Sequence, residues 1–242
     1  MQYTAVAVVS GGLDSTTMLY DTVEQYGPKN TLCLSFDYGQ RHKVELEMAT
    51  LAADRLDIDS HVIDLTPINK LIGGSSLTDA IEVPEGHYAW ETMKQTVVPN
   101  RNSIMSNVAI GACVASGAQV LRLGIHAGDH PVYPDCRPEF VFALERLAHI
   151  ANKGFIHPHF YIDCPFLNVE KSEIARRAHN LGLDFNETWS CYKGGDIHCG
   201  RCSTCVERLE AIALAQLMHA DKTEYADVNY WREVTGWAGD EK

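Results

Sequence analysis

The sequence has no apolar run approaching the ~18–20 residues that a membrane-spanning helix requires. Met1 to Val9 lack a basic flank, and their apolar stretch stops at Ser10-Gly11-Gly12, too soon for a secretory signal. A cytoplasmic protein with no membrane partner is therefore expected. Basic residues are scarce as well: 20 Lys and Arg against 32 Asp and Glu leave a formal net charge of −12. Proteins that grip long nucleic acid draw most of their affinity from a basic face that neutralises phosphates. The charge balance counts against nucleic acid and favours small substrates. There is no internal repeat and no low-complexity segment, which excludes solenoid and array architectures. A disulfide framework is not expected in this compartment, so the eight cysteines point to a metal site or to buried thiols.

What is present belongs to an ordinary globular protein of 242 residues, 45% of them hydrophobic and 21% charged. A chain of this length buries about 70% of its extended surface, enough for a sizeable core. Short β-branched runs predict strands over 4–9, 30–36, 60–65, 120–125 and 160–164. Amphipathic stretches between them predict helices over 15–26, 43–56, 103–116, 138–151, 170–181 and 206–219. Continuous apolar strands alternating with helices imply an α/β fold, a doubly wound, Rossmann-like parallel sheet with ligands at the carboxyl ends of its strands. The stretch 73–102, with Gly73, Gly74, Pro84, Gly86 and Pro99, is too long for an ordinary connection and reads as a functional loop or a lid. The tail from Lys222 carries Trp231 and Trp237, expected to pack on the body or on a partner subunit.

The first strand runs into Val9-Ser10-Gly11-Gly12-Leu13-Asp14-Ser15-Thr16. Two glycines let the backbone pass close to a ligand, and Ser15 or Thr16 can cap the helix that follows. Its free N–H groups and positive dipole end then suit an anion. No Lys follows the glycines, so this is not a Walker loop. Near the other end, Cys191-x7-Cys199-x2-Cys202-x2-Cys205 offers four thiolates, the complement of a closed structural zinc site. A redox C-x-x-C is the competing reading. His198 is a substitute ligand or, with four cysteines available, a neighbour.

Ser10-Gly11-Gly12-Leu13-Asp14-Ser15 resembles the pyrophosphate loop of the PP-loop ATP pyrophosphatases, which cleave ATP between the α- and β-phosphates and adenylate a substrate oxygen. Further stretches narrow the resemblance: Phe36-Asp37-Tyr38-Gly39-Gln40-Arg41-His42, Val98-Pro99-Asn100-Arg101-Asn102, Tyr133-Pro134-Asp135-Cys136-Arg137, and Asn186-Glu187-Thr188 with Ser190-Cys191. Together they are similar to the QueC family, from about Val6 to Val206. Asn100 stands where some family sequences have Gly, a change the turn survives because Asn tolerates the left-handed conformation. His126-Ala127-Gly128-Asp129-His130 departs more from the family spelling, at the expected substrate edge.

The resemblance implies a carbon–nitrogen ligase that converts 7-carboxy-7-deazaguanine and ammonia to 7-cyano-7-deazaguanine through adenylated intermediates, in queuosine and deazapurine biosynthesis. ATP with Mg2+ and a structural Zn2+ are the implied cofactors. Asp14, Arg101 and Lys171 are the implied catalytic residues. Val9, Ser10, Gly11, Gly12, Leu13, Asp14, Ser15, Thr16, Asp37 and Gln40 would bind ATP, and Tyr133, Asp135, Arg137 and Asp129 the deazapurine. Cys191, Cys199, Cys202 and Cys205 would hold the zinc. The expected organisation is a PP-loop nucleotide-binding unit over 1–185 and a zinc-binding helical region over 186–242, in a homodimer, since two-fold assemblies are the commonest. No glutaminase domain fits the length, so free ammonia is the expected nitrogen source. The alternatives are a ligase that stops at an amide or joins another amine or a protein, a PP-loop tRNA thiolase using Cys136, and a non-catalytic zinc-ribbon module.

Overall fold

In the computed structural model, residues 2–239 are described; Met1 of the opening run and the last three positions of the expected C-terminal region lie outside them. Five strands form one wholly parallel sheet: β1 (Ala5–Val8), β2 (Thr31–Asp37), β3 (Asp59–Asp64), β4 (Val120–Leu123) and β5 (Tyr161–Asp163), in the order β3-β2-β1-β4-β5. The helices are α1 (Leu13–Tyr26), α2 (Val44–Arg55), α3 (Arg101–Ser116), α4 (Pro138–Ala151), α5 (Lys171–Asn180), α6 (Ser203–Leu214) and α7 (Tyr230–Thr235). The chain winds outward from β1 to β3, then returns to the far side of β1 for β4 and β5. This is the expected doubly wound α/β sheet. The reversal between β1 and β4 opens a crevice at the carboxyl ends of those strands.

Alternation along the strands divides the core into two layers. Val6, Leu32, Leu34 and Leu121 face Met105, Ile110, Val141 and Leu144 of α3 and α4. Ala7, Val9 and Cys33 face Met18, Leu19, Ala49 and Ala52 of α1 and α2. β1 is buried up to half-buried Val8 and β4 throughout, which is why they read as apolar runs; Arg122 in β4 is buried against Asp21 and Asp163. β3 departs from that expectation: it is an edge strand with Ser60 and Ile63 half-buried and the rest exposed, Val62 included.

One boundary is corrected and two expectations become specific. Helix α1 begins at Leu13, two residues earlier than predicted, with Gly12 at its N-cap and no side-chain cap. Ser15 Oγ instead accepts from Ser10 N–H at 3.1 Å and so ties the turn together. The stretch 73–102 is seated on the body: Leu77, Val83, Met93 and Thr96 are buried, and Gly86 N–H donates to Arg201 C=O at 3.0 Å. The aromatic tail is accounted for within the chain, because fully buried Trp231 packs on Val206, Leu209 and Ala213 of α6, with Trp237 against it. Helix α6 also shares apolar contacts with Leu13 of α1 and with Ala175 and Ala178 of α5. The chain's late segment is thereby anchored beneath the phosphate-loop helix.

Candidate active site

The loop after β1 turns at Gly11, with φ +93°, and a Cβ there would stand 1.8 Å from the Glu45 carbonyl oxygen. Only glycine fits both the left-handed conformation and that approach. Trp189 N–H donates to the Gly11 carbonyl at 2.8 Å, and Gly12 N–H to Ser10 Oγ at 3.3 Å. Gly124, past β4, packs so closely on α1 that a Cβ would lie 2.8 Å from Ser15 Cα. The loop is thus held by tertiary contacts from both sides before any ligand arrives.

Asp14, in the first turn of α1, points into the crevice. Its Oδ2 pairs with Lys171 Nζ at 3.0 Å, and Lys171 also pairs with Glu207 Oε2 at 2.7 Å. Burial raises the Asp14 pKa, but Lys171 and then His126 outweigh it and hold the carboxylate below its ordinary value. Burial likewise opposes the Lys171 charge, and Asp14 and Glu207 reverse that effect, so the ammonium is retained. His126, past the end of β4, has its Nε2 3.6 Å from Asp129 and 3.7 Å from both Asp14 and Glu207. Its Nδ1 accepts from Gly128 N–H at 3.0 Å.

A second group lines the same cavity: Arg101 at the start of α3, with Tyr38, Tyr133 and Tyr192. Asn100 takes the left-handed conformation (φ 58°) just before α3, and Arg101 Nη1 donates to the Tyr38 hydroxyl at 3.4 Å. Tyr133 shares a 2.6 Å hydrogen bond with Thr96 Oγ1. Burial pushes the Tyr38 hydroxyl up to about 12, that of Tyr133 up and that of Tyr192 well up, so all three stay protonated donors. Beside them Phe36, Met105, Leu123 and Ile125 give the cavity an apolar wall.

Val9, Ser10, Gly12, Leu13, Asp14, Ser15, Arg101, Asp129, Tyr133 and Lys171 therefore come together around one cavity. Gly11 in the turn and Thr16, buried in α1, are not part of its lining. The other expected ligand residues are engaged in local structure next to it. Asp37 accepts from Gly39 N–H and Lys43 Nζ, and Gln40 bonds Tyr38 N–H and the Phe36 carbonyl. Asp135 accepts from Asn102 N–H in the first turn of α3, and Arg137 Nε donates to the His130 carbonyl. Glu207, Tyr88, Met93 and Trp189 also line the cavity without having been singled out in the sequence. Glu207 lies two residues past Cys205 on α6, and nothing in the local sequence sets it apart from other surface glutamates.

The four cysteines converge, with their sulfurs all within 4.8 Å of one another, the one group of metal-ligating side chains of this kind among the described residues. Four Zn–S bonds of ~2.3 Å in a tetrahedron put sulfurs about 3.8 Å apart, and Cys199 and Cys205 stand at 3.9 Å. Backbone N–H groups of Arg201 and Cys202 donate to Cys199 Sγ, whose pKa the neighbouring thiols hold far below the usual value. His198 is a neighbour: its Nε2 accepts from Ser190 N–H, and burial lowers its pKa to about 3.

A family model described as "Queuosine biosynthesis protein QueC" matches residues 4–216. The chain belongs to the QueC family. The matched span contains the phosphate loop, both cavity groups and the cysteine cluster, while Trp231 lies beyond it. QueC relatives are close: the chain is 48% identical over 226 residues to the 7-cyano-7-deazaguanine synthase of Ruegeria sp. (strain TM1040), covering 93% of this chain and 94% of that one. The synthase of Paracoccus denitrificans is 47% identical over 229 residues, covering 95% and 96%. Among solved structures, the NMN synthetase of Francisella tularensis superposes with a TM-score of 0.50 at 11% identity, over 96% of this chain and 84% of that one, a likeness of fold alone. No helix among the described residues is long and apolar enough to cross a membrane.

Proposed function

We propose that this QueC enzyme makes 7-cyano-7-deazaguanine from 7-carboxy-7-deazaguanine, ammonia and two molecules of ATP. The observation that carries the reading is the half-buried Asp14–Lys171–Glu207 group at the phosphate loop, facing the same cavity as Arg101 and the tyrosines. A carboxylate resists ammonia because its oxygen leaves poorly, and adenylation converts that oxygen into a good leaving group. Attack on the α-phosphorus expels pyrophosphate, whose growing charge meets the first N–H groups of α1, the Ser10 and Ser15 hydroxyls and Lys171. Arg101 would hold the substrate carboxylate through its planar fork, and the apolar wall would seat the flat deazapurine. Ammonia then displaces AMP to give the amide, and a second adenylation, at the amide oxygen, leads to the nitrile.

Asp14 Oδ1 is buried without a hydrogen-bond partner, a donor suited to Mg2+, which would neutralise the polyphosphate when bound. Cys191, Cys199, Cys202 and Cys205 would hold Zn2+ as a closed structural site with no open position for catalysis. The thiolase alternative is disfavoured by Cys136: burial, then Asp129 and Asp135, push its thiol far up, and a persulfide route needs the thiolate. The test is product mass. Incubation with the carboxylate, ATP and ammonium is expected to give the nitrile, with two AMP and two pyrophosphates formed per product. Accumulation of the amide alone, or release of ADP, would overturn the reading.

We also propose that the enzyme is a homodimer formed through α4. Phe142 and Ile150 are 71% and 65% exposed, and Leu147 and Ala143 share their face. Neighbouring α3 carries no charged side chain after Arg101. Glu139 and Arg146 lie two turns apart on the α4 face, so an antiparallel copy of the helix would set each against the other's opposite charge. Light scattering is expected to give a dimer, Phe142→Asp with Ile150→Asp a monomer, and Glu139→Arg a weakened dimer that Arg146→Glu restores. A monomeric parent protein would refute the arrangement.

A further inference from the structure

The nitrile-forming step makes a demand that phosphate activation does not meet, and this inference rests on the reading above. An amide nitrogen carries two protons and a nitrile nitrogen none. After the amide oxygen is adenylated, the first N–H pair becomes the nitrogen lone pair. The second becomes the new C–N π bond as the C–O pair departs with AMP. A cavity that completes this step needs a proton acceptor beside the reacting carbon.

Most groups lining the cavity are unable to serve. Lys171 occupies one oxygen each of Asp14 and Glu207. His126 accepts a backbone N–H at Nδ1, so its neutral ring carries the proton on Nε2 and has no free lone pair. The three tyrosines and Cys136 remain protonated. Glu45 has one oxygen on Gln40 Nε2 and the other on His42 Nε2, both at 3.4 Å, and the free Nδ1 of His42 has no accessible surface.

Asp129, unlike Asp14 and Glu207, is not bound to Lys171. Its Oδ2 accepts from His126 N–H at 3.1 Å, which fixes the side chain, and its Oδ1 faces His126 Nε2 at 3.6 Å, too far for a hydrogen bond. The side chain is 26% exposed and lines the cavity. It stands between the two groups of the site: its charge is felt by His126 on one side and by Tyr133 and Cys136 on the other. We propose that Asp129 is the catalytic base of the amide-to-nitrile step, taking the nitrogen protons and passing them to water at the cavity mouth. Burial, then Glu207 and Asp14, raise its pKa against the opposing pull of His126, which strengthens it as an acceptor. The His126-to-His130 segment, unusual in spelling, then has a chemical purpose.

Asp129→Asn keeps an oxygen for the His126 N–H and removes the basicity. Two readouts separate the steps: carboxylate-dependent exchange of labelled pyrophosphate into ATP for adenylation, and product masses for the rest. The variant is expected to retain exchange within about threefold of the parent, to accumulate the amide, and to lose nitrile formation by about 100-fold or more. The same block is expected when the amide is supplied as substrate, and Asp129→Glu is expected to restore nitrile in part. An unchanged ratio of nitrile to amide in Asp129→Asn would overturn the assignment. So would a parallel fall in exchange, which would place Asp129 in adenylation or in the fold. A parent enzyme without carboxylate-dependent exchange would instead refute the underlying reading.

Discussion

Lys171→Met is expected to reduce kcat by about 10²- to 10³-fold or more, the cost of removing one preorganised charge stabiliser from a developing anion. Lys171 is the ammonium held between Asp14 and Glu207 with about a tenth of its side chain exposed. Pyrophosphate leaving the α-phosphorus gathers charge at the end of α1 where this ammonium sits. Exchange of labelled pyrophosphate into ATP should fall in step with turnover, since both report the same bond. The substitution also leaves two half-buried carboxylates without their counter-charge, an imbalance that costs about 3–5 kcal/mol where such pairs are fully buried and less here. Adding Glu207→Gln relieves part of that repulsion and should recover stability in denaturant titrations while leaving the rate low. A Lys171→Met enzyme that exchanges pyrophosphate at the parental rate would remove Lys171 from the chemistry.

Extraction of the metal is expected to have an effect of similar size by a different route. Helix α6 begins at Ser203, directly after Cys202, so the cluster sets where the helix starts and where Glu207 falls. The cluster also anchors the 73–102 stretch through Gly86 and Arg201. Structural zinc contributes ~10–16 kcal/mol to the folding of small zinc-finger peptides. A third of that lost from a chain this long would lower Tm by about 10 °C. Cys202→Ser, or a strong chelator, should therefore release close to one zinc per chain by colorimetric assay, lower Tm, and reduce activity more than 100-fold. A zinc-free protein with parental Tm and activity would end the structural-zinc proposal.

The sheet was legible because β1, β2 and β4 are covered on both faces, so their apolar runs have no solvated side to interrupt them. Position along the chain was right for β3, but its exposure was not, since an edge strand differs from a central one only in what lies beside it. The phosphate loop and the cysteine cluster were legible because each is a local pattern: a turn that demands glycine at Gly11, and sulfurs brought within reach of one ion by short spacings. Glu207, Tyr88 and Trp189 were not, because they reach the cavity through tertiary packing that leaves no local signature. Asp37, Gln40, Asp135 and Arg137 illustrate the converse. They belong to the recognisable stretches, and in the structure their polar atoms close turns next to the cavity. A motif records the residues that shape a site as well as those that touch its ligand.

The arrangement of the site along the chain also bears on synthesis at the ribosome. Asp14 emerges early, Lys171 much later, and Glu207 only after the cysteines that position it. A nascent chain displaying the glycine turn has neither the ammonium that would assist pyrophosphate departure nor the helix that steadies it. The charge cluster is therefore a product of the finished fold, assembled only when α5 and α6 have packed against α1.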